Sequence, residues 1–337
     1  MYKKHYFIIL FAAAIVIVLV NWQMILYGFQ QGKGQLIFLS NTVSIAEMVE
    51  SPSVHDSIKL KLSWVADIKK FAGDTLGLVA NDNYTTYYEQ NEVPILWVVT
   101  ACQPYELKEY KWKYPILGKL GYKGFFRKEL AEKEAAKLSD LGLDVDVGEV
   151  NAWSTLGWFR DPVLSSMMEK TEGEIARLLI HELTHTTIFI SDDSEFNENL
   201  ATYIGDNGAE QYLSSKYGNN SEELKSYQEN LSDIKKMSAH MLRGAEQLDK
   251  LYDHFGNLSV ERKEVLKQQQ IRLIISNMDT IKLADENRYD RFKAEDFKPN
   301  NTFFMEFKMY RGNLTELDSL CQARFTNDLG LLVNYYK

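Results

Sequence analysis

His181 and His185 stand four residues apart in "RLLIHELTH", with Glu182 directly after the first. Thirteen residues beyond the second histidine comes Glu198, inside "FNEN". On a helix, positions i and i+4 share a face, so both imidazoles aim at one point. Glu182 is rotated off that face, yet close enough to reach a water held there. Two histidines, a carboxylate and an open position for water make up the donor set of a catalytic zinc. A glutamate beside such a water acts as general base and later passes the proton to a leaving amine. The expectation is therefore a Zn2+ site with ligands His181, His185 and Glu198, and Glu182 as catalytic base. The plainer alternative is a buried helix whose histidines are satisfied by hydrogen bonds.

Two helices must position these groups. Thr171-x-x-Glu174 is a capping-box signature directly before the apolar run that holds the histidines. Asp192-x-x-Glu195 offers a similar start for the next helix, which carries Glu198. On that helix Glu198, Ala201, Thr202 and Gly205 share a face, and the small residues allow close approach to the first helix. Gly inside a helix costs about 1 kcal/mol relative to Ala, so close approach gives Gly205 a purpose. A tetrahedral oxyanion needs a further donor. Tyr203, His240, His254 and Tyr310 are the candidates, and Asn197 is a weaker one for substrate backbone.

The chain has 337 residues, 45% of them hydrophobic and 25% charged, with a formal net charge of −9. That supports a sizeable core and excludes wholesale disorder. No basic block is present, so nucleic acid is not an expected partner. Cys102 and Cys321 lie far apart in sequence and form no zinc-type pair. They read as two buried thiols, with one disulfide as the alternative. Near the N-terminus, Phe7 to Val20 is continuously apolar and "NWQMIL" extends it. Such a length predicts an uncleaved transmembrane helix within residues 1–27, with Tyr6, Trp22 and Tyr27 at the interfaces. Lys3 and Lys4 place its start in the cytoplasm and the remaining domain outside, in the periplasm. A cleaved signal peptide is the competing reading.

Residues 28–337 then form the main domain: an N-terminal α/β part (28–150), an active-site strand and helices (151–218), and a helical lobe (219–337). Ile58, Leu62, Val65, Ile68 and Phe71 recur at helical spacing. "VPILWVVTAC" reads as a buried strand, and "YPILGKLGYKGFF" as two short strands with glycine turns. "RKELAEKEAAKLSDLG" is a helix that Gly142 can end, and "LDVDVGEV" alternates like a strand. "NAWSTLGWF" reads as a strand whose exposed edge pairs with substrate backbone, or as an ordinary sheet strand. Residues 221–285 read as a helical hairpin, turned at Gly256 and Asn257, with a coiled-coil arm as the alternative. The fold class is α+β, mostly helical, with a small sheet.

At "GQL" (34–36), "NYTTYYEQ" (83–90), "YPILGKLGYKGFF" (114–126), "AWSTLGWFRDPVL" (152–164), "HELTH", "FNENLATYIGDNG" (196–208) and "PNNTFFMEFKMY" (299–310) the chain resembles a bacterial family of predicted aminopeptidases. These are zinc proteins, zincin-like in fold and similar to gluzincins, with HExxH and a downstream glutamate. The resemblance implies His181, His185 and Glu198 as zinc ligands and Glu182 as base. It also draws attention to Asn300, Asn301 and Tyr310 as residues near the site. Thr184 and Trp153 depart from the family's usual small apolar residue and tyrosine. Thr202 stands where related enzymes often carry an aspartate that orients the first histidine. Zinc-dependent hydrolysis of a peptide substrate at its amino end is the expected function. A zinc endopeptidase, another amide hydrolase, and a membrane-tethered scaffold with structural zinc are the alternatives. An aminopeptidase also needs an acidic group for the substrate's α-ammonium, and Glu89 is a candidate.

Overall fold

The computed structural model describes residue 6 and residues 21–79, 81–114, 118–149 and 160–337. Its first long helix, α1 (Trp22–Ser40), runs without a break through the end of the expected anchor. Gln23, Gln30, Gln31, Lys33 and Gln35 interrupt its apolar residues. The Tyr27 hydroxyl and Gln31 Nε2 both donate to the carbonyl of Gly124, at 2.9 and 3.0 Å. The Tyr27 ring meets Phe125 edge-on, and Phe38 enters the main core. Tyr27 is thus occupied by protein.

No helix among the described residues is long and apolar enough to cross a membrane. A crossing needs about 20 predominantly apolar residues, and the polar positions of α1 do not allow that. This corrects the expectation of a single-pass transmembrane anchor, and with it the membrane-anchored, periplasmic localisation that rested on it. The apolar run 7–20 itself lies outside the described residues.

After α1 come β1 (Val43–Ser44), α2 (Ile45–Glu50), α3 (Asp56–Asp74), β2 (Thr86–Tyr88), β3 (Trp97–Cys102), β4 (Trp112–Tyr114), β5 (Gly118–Leu120) and β6 (Tyr122–Phe125). They are followed by α4 (Lys128–Ser139), β7 (Asp144–Glu149), β8 (Val163–Leu164), α5 (Glu172–Thr187), α6 (Ser194–Tyr217) and α7 (Glu222–Asp253). The chain closes with α8 (Val260–Ser276), α9 (Asn301–Arg311), α10 (Leu314–Phe325) and α11 (Leu329–Tyr336). The described residues form three small sheets, in the orders β1-β2-β8, β6-β3-β7 and β4-β5. In the second, β3 pairs antiparallel with both neighbours, Val99 facing Lys123 and Val147. The expected strand 151–159 lies outside the described residues.

Helix α5 is the centre of the molecule because its apolar residues recur around most of its circumference. Ile175, Ala176, Leu179, Ile180 and Leu183 are all fully or almost fully buried. Each large aliphatic side chain so buried contributes roughly 1.5–3 kcal/mol. They pack against Leu62, Val65 and Ile68 of α3 and Leu200 and Ile204 of α6 in one core. Helices α7 and α8 form the hairpin, with Gly256 in the left-handed region at its turn. A second core joins Met241, Leu248 and Ile274 of the hairpin to Phe304 of α9. Cys102 and Cys321 are both buried free thiols.

Candidate active site

The capping box forms as its sequence predicts. Thr171 Oγ1 accepts from the Glu174 backbone N–H at 3.4 Å, and the Glu174 carboxylate accepts from the Thr171 N–H at 3.0 Å. This fixes where α5 begins and therefore which way its residues 181, 182 and 185 face. The cap of α6 falls one residue later than expected. Asp193, not Asp192, accepts from the Phe196 N–H at 3.1 Å, and Asp192 sits at φ +62° in the turn before it. Asn197 closes that turn, accepting from Ile190 N at 2.9 Å and donating to Ile190 O at 2.7 Å. Its role is local architecture.

The two helices approach closely at Gly205. A Cβ there would lie 2.8 Å from the Arg177 carbonyl oxygen and 3.2 Å from His181 Cβ. Two turns earlier on the same helix, Glu198 reaches both histidines. Its Oε2 lies 3.3 Å from His181 Nε2 and 3.3 Å from His185 Nε2. The two Nε2 atoms are 3.1 Å apart. Ligands about 2.05 Å from a tetrahedral zinc are separated by about 3.3 Å. The three atoms already have that spacing, and their chemistry, two imidazole nitrogens and one carboxylate oxygen, is a zinc donor set. Among the described residues, these three form the one group of histidine, cysteine and acidic side chains close enough to share a metal ion.

The triad's electrostatics follow from burial and contact. Burial opposes charge on His185, but hydrogen bonding to Glu198 and its negative charge outweigh this and raise its pKa. Burial pushes Glu198 the other way, and the two histidines overcome it and hold the carboxyl well below the usual carboxylate range. Glu182 lies on α5 between the ligands, partly exposed, and its carboxylate forms no hydrogen bond with another described residue.

Of the four sequence-predicted oxyanion donors, only Tyr310 is at the site. Its ring centroid is 6.3 Å from that of His181. The side chain is 40% exposed, yet the charge of Glu198, then loss of solvation and the charge of Glu182, raise its pKa well above the ordinary tyrosine value. Tyr203 instead donates to Asp318 at 3.2 Å, His240 bonds the Ile274 carbonyl at 2.8 Å, and His254 bonds the Lys250 carbonyl at 2.6 Å. Asn300 and Asn301 do not meet the triad. Asn300 caps α9 through the Thr302 N–H at 2.9 Å and donates to Val145 O. Asn301 accepts from Tyr252 at 2.6 Å and donates to Gln103 O at 2.8 Å. Together they anchor the helix that presents Tyr310. Its far end is fixed by Asp206 of α6, which binds Arg311 at 3.0 Å and Arg177 of α5 at 2.6 Å. Glu89 bonds Tyr87 and the Asn91 backbone, not the triad.

The sequence reading missed Tyr122, on β6. The side chain is 47% exposed, yet loss of solvation, then the charges of Glu198 and Glu182, push its phenol up to about 12. Tyr122 lies inside "YPILGKLGYKGFF", which reads only as strands and turns, and nothing in its spacing ties it to His181, 59 residues away.

Residues 26–331 match the model of a protein family described as "Putative aminopeptidase". No curated protein and no solved structure matches the chain.

Proposed function

The chain belongs to the family described as "Putative aminopeptidase", and on that premise we propose that it is a zinc-dependent hydrolase of peptides acting at their amino ends. The observation that carries the reading is the convergence of His181, His185 and Glu198 at 3.1–3.3 Å beside a glutamate left free of them. His181, His185 and Glu198 would hold the zinc, a gluzincin-like ligand set. A zinc ion held by these three residues would supply Lewis acidity toward the scissile carbonyl and a neighbouring water.

The chain's own groups supply the remaining steps. Glu182 takes one proton from the attacking water as its oxygen bonds to the carbonyl carbon. It then delivers that proton to the departing nitrogen as the carbon–nitrogen bond breaks, so atoms and charge balance. Tyr310 and Tyr122 keep their protons beside the charges of Glu198 and Glu182. Both therefore serve as donors to the carbonyl oxygen as it gains negative charge. Recognition of an amino end requires a carboxylate near the site. Glu306 fits that need, one turn before Tyr310 on the same face of α9. Crowding of its carboxyl, then the charge of Asp146, raise its pKa, and the charge of Arg291 offsets this only in part.

The test is a peptide mixture incubated with the zinc-loaded chain and read by mass spectrometry. The proposal expects successive loss of amino-terminal residues, and expects Glu182→Gln to retain zinc with cleavage lost. Hydrolysis by Glu182→Gln at the wild-type rate would remove Glu182 from the mechanism. Internal cleavage would turn the reading to an endopeptidase.

A further inference from the structure

The sheet β6-β3-β7 has two faces with different neighbours. Side chains directly opposite on paired strands share a face, and successive residues alternate. Val99, Val145 and Val147 point to one face, where they pack with Ala131 and Leu138 of α4 in a third core. The other face carries α9. There the Asp144 carboxylate accepts from the Asn301 N–H, at the start of α9, at 2.8 Å. It also holds the Lys267 ammonium of α8 at 2.6 and 2.7 Å. Asp146, two residues further along β7, shares this face with Asp144.

Asp146 also stands in one row with Tyr122. Thr100 of β3 pairs with Tyr122 of β6 on one side and with Asp146 on the other. Two strand spacings put Asp146 about 10 Å from Tyr122 across the sheet. Over this face, α9 runs from its tie at Asp144 to Tyr310, beside His181. Glu306 lies about 6 Å before Tyr310 along the helix axis. Sheet and helix thus lead from the triad to Glu306 and on to Asp146.

Asp146 is exposed and forms no ion pair among the described residues. The nearby cations are engaged elsewhere. Lys267 is held by Asp144, Lys123 pairs with Glu134 at 3.0 Å on the opposite face, and Arg291 lies over the Phe292 ring at 4.7 Å. Gly148 follows Asp146 on the same face. A Cβ added there would meet no described atom nearer than Asp146 Oδ2, at 3.9 Å. The space beside the carboxylate is therefore open to a side chain from outside. Loss of solvation raises the Asp146 pKa; at Glu306, loss of solvation and then the charge of Asp146 act the same way. A cation arriving beside them favours both carboxylates.

We infer that Asp146 is a specificity-determining residue that receives the cationic side chain of a lysine or arginine at the amino end of the peptide. The inference rests on the proposed hydrolysis at amino ends and on Glu306 taking the α-ammonium. A lysine or arginine side chain carries its charge about 6–7 Å beyond Cα, which spans the distance from Glu306 towards Asp146. An uncharged side chain of that length would leave the carboxylate unpaired.

The test has two arms, both with the zinc-loaded full chain. In the first, peptides of one sequence begin with lysine, Nε-acetyl-lysine or leucine. The lysine peptide is expected to exceed the other two in kcat/KM by about tenfold or more, and Asp146→Asn to lose that ratio while keeping one zinc per chain. Equal kcat/KM for all three peptides, or a preference that survives in Asp146→Asn, would overturn the inference and leave the proposed hydrolysis standing. The second arm needs no cleavage. Calorimetry is expected to show lysinamide binding about tenfold tighter than leucinamide, with the difference gone in Asp146→Asn. Equal binding of the two amides by the wild type would overturn it. Absence of cleavage of any peptide would instead overturn the proposed function, and the binding arm would then decide on Asp146.

Discussion

Replacing Gly205 by alanine tests how the site is held together. The added Cβ would lie 2.8 Å from the Arg177 carbonyl oxygen, 3.2 Å from His181 Cβ and 3.4 Å from His181 N. The first contact is more than about 0.5 Å inside van der Waals distance. It is to the backbone of α5, so no rotamer change relieves it and the helices must part. Overpacking of this kind costs about 1–3 kcal/mol. Alanine's higher helix propensity returns about 1 kcal/mol, leaving a net loss of about 0–2 kcal/mol. The larger effect is on the metal. His181 sits at the contact and Glu198 is on the helix pushed away, while metal–ligand distances tolerate only about 0.2 Å. Zinc affinity should fall about tenfold or more. Gly208→Ala is the control, because its added Cβ meets the side chains of Leu76 and Ile180, which can yield. The assays are denaturant unfolding of the metal-free chain and zinc competition against a chromophoric chelator. A Gly205→Ala variant as stable as wild type, with zinc affinity within twofold, would refute the close-packing argument.

Three further outcomes are expected. Asp206→Ala leaves the buried Arg311 and the partly buried Arg177 without their shared anion. Urea unfolding should show a loss of about 3–5 kcal/mol, and a loss under 1 kcal/mol would contradict it. Asp233 accepts from the backbone N–H groups of Ala284 and Asp285. Burial raises its pKa, but those bonds and Lys236 outweigh it and hold the pKa below the ordinary value. Its stabilisation is therefore present above the unfolded pKa of about 3.9 and is lost as pH falls through the lower folded value. The stability gap between wild type and Asp233→Asn should close below that range, and a gap independent of pH would contradict this. Glu306→Gln should raise KM for peptides with a free amino end and leave N-acetylated peptides unaffected, and equal effects on both would remove Glu306 from amino-end recognition.

What the sequence made legible was local. The i, i+4 histidines, the Thr171–Glu174 cap and the small residue at 205 all act within one helix or between consecutive helices, so spacing alone carries them. The cap of α6 was off by one because Asp192 and Asp193 offer the same side chain, and only the backbone turn chooses between them. The other groups beside the triad come from afar: Tyr122 from a strand, Tyr310 from a helix more than 100 residues on. Residue type did not separate Tyr310 from Tyr203, His240 and His254, whose partners are fixed by tertiary packing. The anchor reading extended an apolar stretch into α1, because hydropathy does not distinguish a helix face packed on protein from one meeting lipid. Tyr27 and Gln31 on Gly124 resolve that point.

The most direct test of the account is a zinc titration of the metal-stripped chain followed by peptide hydrolysis at each step. The account predicts that activity is absent without metal, rises linearly and saturates at one zinc per chain, and that His185→Ala neither binds that zinc nor gains activity. Hydrolysis by the metal-free chain, or full zinc occupancy in His185→Ala, would contradict it.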